Sequence, residues 1–258
     1  MKRRSAAGSN DSVPLSNSDR LVSDARRALF VMAGVIALIW ALQIVNWLDH
    51  YWLSRDFGLV TRDPSRLPDI FTAPLLHTSF THIEDNSAPL FFLGFLAAYR
   101  GIRKFVAVTL LIVVTSGLGG WLFSPSHTVT VGASGVVFGY FSYVVVRGLV
   151  ERHVLDVIAA VVVAVSYWSI LRGVLPDDPH ISWQEHLFGL LGGIAAAFLF
   201  RQRSSRPSVE KPRKTAIDSS SGSRARVPSD RAAVPSDRAA VPPERAALHK
   251  ELDDLGLI

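Results

Sequence analysis

Apolar residues along this chain come in long uncharged runs. They show neither the alternation of strands nor the three-to-four spacing of surface helices. Residues 28–48, 105–146 and 186–200 contain no Asp, Glu, Lys or Arg. A helix rises ~1.5 Å per residue and a hydrocarbon core is ~30 Å thick, so about 20 residues cross it. The run at 105–146 is therefore two crossings, divided at Ser124, Pro125, Ser126 and His127. Two shorter apolar segments complete the set, 82–99 and 154–171, the latter with Asp156 as its charged residue. The pattern predicts an all-α polytopic membrane protein, a bundle of six transmembrane helices. The second and sixth fall near or below the usual ~17-residue minimum and need shielding by neighbours.

Around this domain, placed at 28–200, the composition changes. Residues 1–27 are polar and rich in Ser, Asp and Arg, which predicts a disordered N-terminal tail. In the tail at 201–258, the heptad Val-Pro-Ser-Asp-Arg-Ala-Ala at 227–233 recurs at 234–240 and, with Pro-Pro-Glu at its centre, at 241–247. Proline in every unit prevents a continuous coiled coil, so a flexible low-complexity tail is expected. The loop at 50–81 is long and holds Tyr51, Trp52, Phe57 and Phe71. A loop of that length is expected to be functional or partly embedded, not a plain connector.

Charge adds an orientation. Lys2, Arg3, Arg4, Arg20, Arg26 and Arg27 precede the first span, Arg100, Arg103 and Lys104 follow the second, and Arg147 and Arg152 follow the fourth. The alternate loops are poor in cations or balance them with Asp, as at Asp49, Asp56, Asp63 and Asp69. The positive-inside rule then puts both termini in the cytoplasm of a multi-pass cell-membrane protein. The net charge of +5 reflects this topology and a basic tail, and no nucleic-acid partner is expected. The absence of cysteine excludes disulfides, thiolate catalysis and Cys-based zinc sites. The first apolar run exceeds a signal-peptide core and lacks a small-x-small cleavage site after it, so an uncleaved span is expected.

Candidate chemistry lies at the starts of three spans. His82 and Asn86, four apart on one helical face, open the second; Ser134 opens the fourth; His186 opens the sixth. All three spans run from outside to inside, which brings the four residues to one membrane depth. Each has an ordinary reading: Ser134 as a small packing residue, His186 as an interfacial histidine, His82 and Asn86 as a cap pair. Ionisable residues in spans are rare and usually functional, and together these supply a nucleophile, a base and hydrogen-bond donors for acyl transfer. Gly135 and Gly139 on one span, and Gly189 and Gly193 on the other, form small-xxx-small faces. If those faces pack together, Ser134 and His186 come within reach.

With these residues in place the chain resembles the rhomboid family of intramembrane serine proteases. The resemblance covers about residues 28–200. It rests on G-x-S-G at Gly132, Ser134 and Gly135 with Gly139 following, on H-x-x-G-x-x-x-G at His186, Gly189 and Gly193, and on H-x-x-x-N at His82 and Asn86, preceded by His77. It implies a Ser134–His186 dyad without a third acid. It also implies an oxyanion held by His82, Asn86 and the Ser134 N–H, and a ring at Phe138, where many members have tyrosine, stacked under the histidine. The implied partners are the lipid bilayer and membrane proteins with a transmembrane helix, which must unwind locally before cleavage. No cofactor and no metal is expected. Glu84 and Asp85 depart from the family's pattern, as does the absence of a Trp-Arg pair in the first loop, and they leave substrate preference open. A metalloprotease using His77, His82 and His186 lacks H-E-x-x-H. A small transporter would place its polar groups nearer the midplane. An inactive rhomboid-like binding protein would normally have lost the serine or the histidine.

Overall fold

The computed structural model describes residues 17–176 and 182–201. Within them the chain is mostly helical: α1 (Asn17–Leu48), α2 (Trp52–Phe57), α3 (Phe80–Ala98), α4 (Ile102–Phe123), α5 (Ser134–Glu151), α6 (Val154–Tyr167) and α7 (Trp183–Leu199). Short 3-10 helices occupy Pro64–Phe71, Ala73–Leu75 and Trp168–Val174. A two-residue strand β1 (Leu59–Val60) pairs antiparallel with β2 (Val129–Thr130), an exception to the all-α expectation.

The helix ends follow local chemistry. Ser79 caps α3, its hydroxyl accepting from the His82 N–H at 3.0 Å. Gly101, at φ 124°, makes the tight reversal into α4. The α4 helix stops at Phe123, where the apolar run breaks, and Ser124 closes it by donating its N–H to the Gly120 carbonyl. One boundary differs from expectation: residues 17–27, read as part of a disordered tail, form the first turns of α1. The Asp24 and Arg27 side chains, three apart on one face, support these turns with a 3.8 Å ion pair. The remaining tail residues, including the heptad repeat, lie outside the described residues.

Among the described residues, three stretches are long and apolar enough to cross a membrane: Ser18–Leu48, Ile102–Phe123, and Val154–Val174, which joins α6 to its 3-10 extension. The helices α3, α5 and α7 are shorter, at 19, 18 and 17 residues. Helix α5 is the axis of the bundle. It is buried from Gly135 to Val144, packing against α3, α4, α6 and α7, while α1 covers α3 from outside. Outward faces are apolar, with Phe30 65% and Val165 71% exposed. An apolar exterior around a partly polar interior is the arrangement lipid demands.

Among the described residues, several polar interior groups pair across helices, while the Gln43 amide, the His77 ring and the Tyr143 hydroxyl are buried without a hydrogen bond. Trp40 Nε1 donates to Ser87 Oγ at 3.0 Å, and the Tyr140 hydroxyl meets Thr109 Oγ1 at 2.7 Å. Far from Ser134, the fully buried Asp156 of α6 binds Arg100 at 2.6 Å and the fully buried Arg147 of α5 at 3.2 Å, and accepts from the Tyr99 hydroxyl at 2.5 Å. Removing one member of such a cluster leaves an uncompensated buried charge.

Candidate active site

The long loop is folded, and it builds one wall of the site. Buried Asn46 at the end of α1 donates to Ser54 Oγ of α2 at 2.8 Å and to the His77 carbonyl at 3.0 Å. The β1–β2 pair joins the loop to the segment that leads into Ser134, in register Leu59 with Thr130. The Gly132 N–H reaches the Ala73 carbonyl at 2.9 Å. Gly132 has φ 130°, and its Cα faces the His82 ring so closely that a Cβ would lie 2.8 Å from Nε2. Only glycine meets both demands.

Ser134 is the first residue of α5, and Ala133 before it supplies no side-chain cap. The first N–H groups of α5 have no intrahelical partner, which leaves an anion-binding end beside the serine hydroxyl. Ser134 Oγ lies 2.7 Å from His186 Nε2. His186 Nδ1 lies 2.8 Å from the Gly173 carbonyl, and an oxygen of that kind can only accept. Nδ1 is therefore the protonated nitrogen, and Nε2 turns its lone pair to the serine. Phe138, one turn along α5, stacks on the imidazole with centroids 4.1 Å apart and planes 10° from parallel.

The helix contact that allows this is closer than ordinary packing. A Cβ on Gly189 would lie 2.2 Å from the Gly135 carbonyl oxygen, and one on Gly193 would lie 2.0 Å from that of Gly139. The glycines of α7 thus rest on the α5 backbone. Gly135 and Gly139 turn their own Cα faces elsewhere, to Ser116 and Ile112 of α4, so the expected glycine-to-glycine seam is a three-helix joint. Cross-helix hydrogen bonds fasten it: Ser116 Oγ donates to the Glu185 carbonyl and Ser142 Oγ to that of Leu190, both at 2.8 Å.

His82 and Asn86 reach the same cavity, of about 550 Å³, which Ser134, Phe138, Glu185 and His186 also line. His82 Nδ1 is 3.1 Å from Thr78 Oγ1, and its Nε2 edge faces Gly132. With Thr78 as donor, the ring proton sits on Nε2, directed to the segment before Ser134. Asn86 turns one amide N–H back to the His82 carbonyl at 2.9 Å and keeps the other. Beside them His77 is fully buried and meets the His82 ring edge-on at 5.0 Å. Burial, with a smaller contribution from His82, lowers its pKa to about 3.

Two further residues were not among the expected set. Gly173 orients His186 through its main chain, and no side-chain motif announces such a role. Its Cα packs against Phe138 and His186, where a Cβ would come within 3.0 Å of both. Glu185 accepts from Thr130 Oγ1 at 2.5 Å and ties α7 to β2; adjacent Gly119 and Gly120 make room for Phe188 and Glu185 on α4. That glycine pair in an apolar helix was the available signal. Among the described residues no three His, Cys, Asp or Glu side chains converge to hold a metal ion.

Apolar helices around a polar site at the helix ends define a membrane protein. A family model for the Rhomboid domain matches residues 64–203. Among curated relatives, the uncharacterized protein Rv1337 of Mycobacterium tuberculosis (strain H37Rv) is 34% identical over 187 residues, covering 67% of this chain and 78% of its own. The uncharacterized protein ML1171 of Mycobacterium leprae is 32% identical over 187 residues, with 67% and 74% covered. A Bacillus subtilis (strain 168) protein named "Putative rhomboid protease YdcA" is 29% identical over 186 residues, with 67% and 91% covered. The chain belongs to the rhomboid family, whose members are usually intramembrane serine proteases.

Proposed function

We propose that this protein is an intramembrane serine endopeptidase. In this reading it crosses the membrane six times, keeps both termini in the cytoplasm and cleaves transmembrane segments of membrane proteins. The observation that carries the reading is the fixed tautomer of His186, held between the Gly173 carbonyl and Ser134 Oγ. A neutral Nε2 lone pair on a serine hydroxyl is the starting state for general-base attack. Ser134 Oγ attacks the scissile carbonyl while its proton passes to His186. The imidazolium is stabilised by the Gly173 dipole and the face of Phe138. The oxyanion draws on the Ser134 N–H, the second Asn86 N–H and His82 Nε2, each worth ~3 kcal/mol in such a role. His186 then protonates the leaving amine, and a water activated by the same nitrogen releases the acyl group.

The test is cleavage of a panel of single-span membrane proteins by the reconstituted protein beside its Ser134→Ala variant, with labelling by a fluorophosphonate as a second readout. Serine-dependent cleavage and labelling at Ser134 are expected. Absence of both, with substrates still captured, would leave the inactive binding protein as the reading.

A further inference from the structure

At the end of the bundle away from Ser134, two adjoining grooves of about 680 and 630 Å³ run between the first turns of α1 and the α3–α4 turn, sharing Arg27 and Ile102. We propose that this groove binds the phosphate headgroup and upper acyl chain of an anionic phospholipid.

The charge is complementary. The linings hold Arg26, Arg27, Arg100, Arg103 and Lys104 against Asp19 and Asp24. Counting Arg147, Asp156 and Glu151 packed behind them makes six cations against four carboxylates, so positive charge still exceeds negative by two. Arg100 and Lys104 are held by Asp156 and Glu151 at 2.6 and 3.0 Å. Arg27, Arg103 and Arg26 are exposed and remain for a ligand; among the described residues Arg27 makes a long 3.8 Å contact with Asp24, and Arg26 lies over the Phe30 ring at 5.9 Å. Guanidinium groups from two elements suit a phosphodiester, which accepts two donors at once.

The groove also changes character at one level. On α1 the charges end at Arg27 and an uncharged run begins; on α4 they end at Lys104 and another begins. Below that level on α1, Phe30 and Val31 form an apolar floor, and Ile102 adds apolar surface beside the α4 cations. A small soluble anion would use the cations and leave the floor bare, whereas a lipid uses both. Basic pockets between membrane helices hold anionic headgroups in this way.

The experiment follows thermal unfolding of the full chain in detergent micelles titrated with phosphatidylglycerol, phosphatidylcholine or inorganic phosphate. Phosphatidylglycerol at a hundredfold its Kd should raise Tm by at least about 5 °C and saturate. Phosphatidylcholine and phosphate should not. The shift should vanish in Arg27→Gln/Arg103→Gln and persist in Arg20→Gln, whose charge lies outside the linings. An equal response to phosphatidylcholine, or to phosphate alone, overturns the proposal, and so does a retained response in the double variant. Should that variant fail to fold, a photoreactive phosphatidylglycerol decides on the unaltered protein. Adducts within 19–31 and 98–104 support the site; adducts confined to other segments overturn it.

Discussion

At His186 the tautomer is chosen by a backbone atom. The Gly173 carbonyl fixes the proton on Nδ1, and Ser134 receives the free lone pair. In the proposed dyad Ser134 and His186 act as a unit, so losses at the two should not add. We expect Ser134→Ala and His186→Ala each to lower kcat/KM by at least ~10⁴-fold, and the double variant to be no slower than either single one. Single-turnover assays on reconstituted protein check this, and a much slower double variant would contradict a shared dyad. His77 makes a second case. It is neutral in the folded protein, with a pKa lowered to about 3, and its unfolded value is ordinary. Between about pH 6.5 and 3 the unfolded chain binds the proton and the folded one does not, so stability is complete above that window and falls as pH drops through it. Thermal unfolding from pH 7.5 to 4.5 should show this loss, and His77→Leu should have a shallower slope; identical slopes would remove His77 from the account.

The elements show why some of this was legible in the sequence and some was not. Apolar runs are long and cannot be hidden, so α1, α3, α4, α5, α6 and α7 each overlap one of the apolar segments, though only three stretches among the described residues are long and apolar enough to cross a membrane. The starts at Ser134 and near His82 and His186 followed, as did their meeting in one cavity. The start of α1 at Asn17 was missed because Asp24 and Arg27, polar in composition, support a helix by their spacing. Gly173 was missed because its contribution is a carbonyl, which every residue has. The glycine seam was half legible: the spacing of Gly189 and Gly193 pointed to close approach, but which helix met which glycine depended on rotation about the axes. With a Cβ on Gly193 placed 2.0 Å from the Gly139 oxygen and 2.2 Å from Ser142 Oγ, α7 has no room to relax. Gly193→Val should destabilise the fold by about 1–3 kcal/mol or more, as overpacking does. It should also lengthen the Ser134–His186 contact, read as a loss of fluorophosphonate labelling greater than that of Gly34→Val, where a Cβ meets nothing within 4 Å. Equal effects at the two glycines would remove the seam from the account.

Across the described residues, the candidate site and the buried Arg–Asp cluster sit at opposite ends of the helices. Ser134, His186 and His82 lie at the starts of α5, α7 and α3, while Arg100, Arg147 and Asp156 gather at the other end. Reporter fusions after Lys104 and after Pro125 should therefore report opposite sides of the membrane, with the first on the cytoplasmic side. A shared side for both would defeat the orientation and the six-crossing count together.

The short β1–β2 ladder has a mechanical consequence. The two-residue strands and the Gly132–Ala73 hydrogen bond make the 50–81 loop and the approach to Ser134 a single crank, with the loop as its handle and its pin beside the serine. Torque applied to the handle must turn the pin. An antibody fragment clasping the exposed Phe71 side chain, clear of the cavity, should slow fluorophosphonate labelling of Ser134 without competing for substrate. Unchanged labelling with the fragment bound would show that the crank slips.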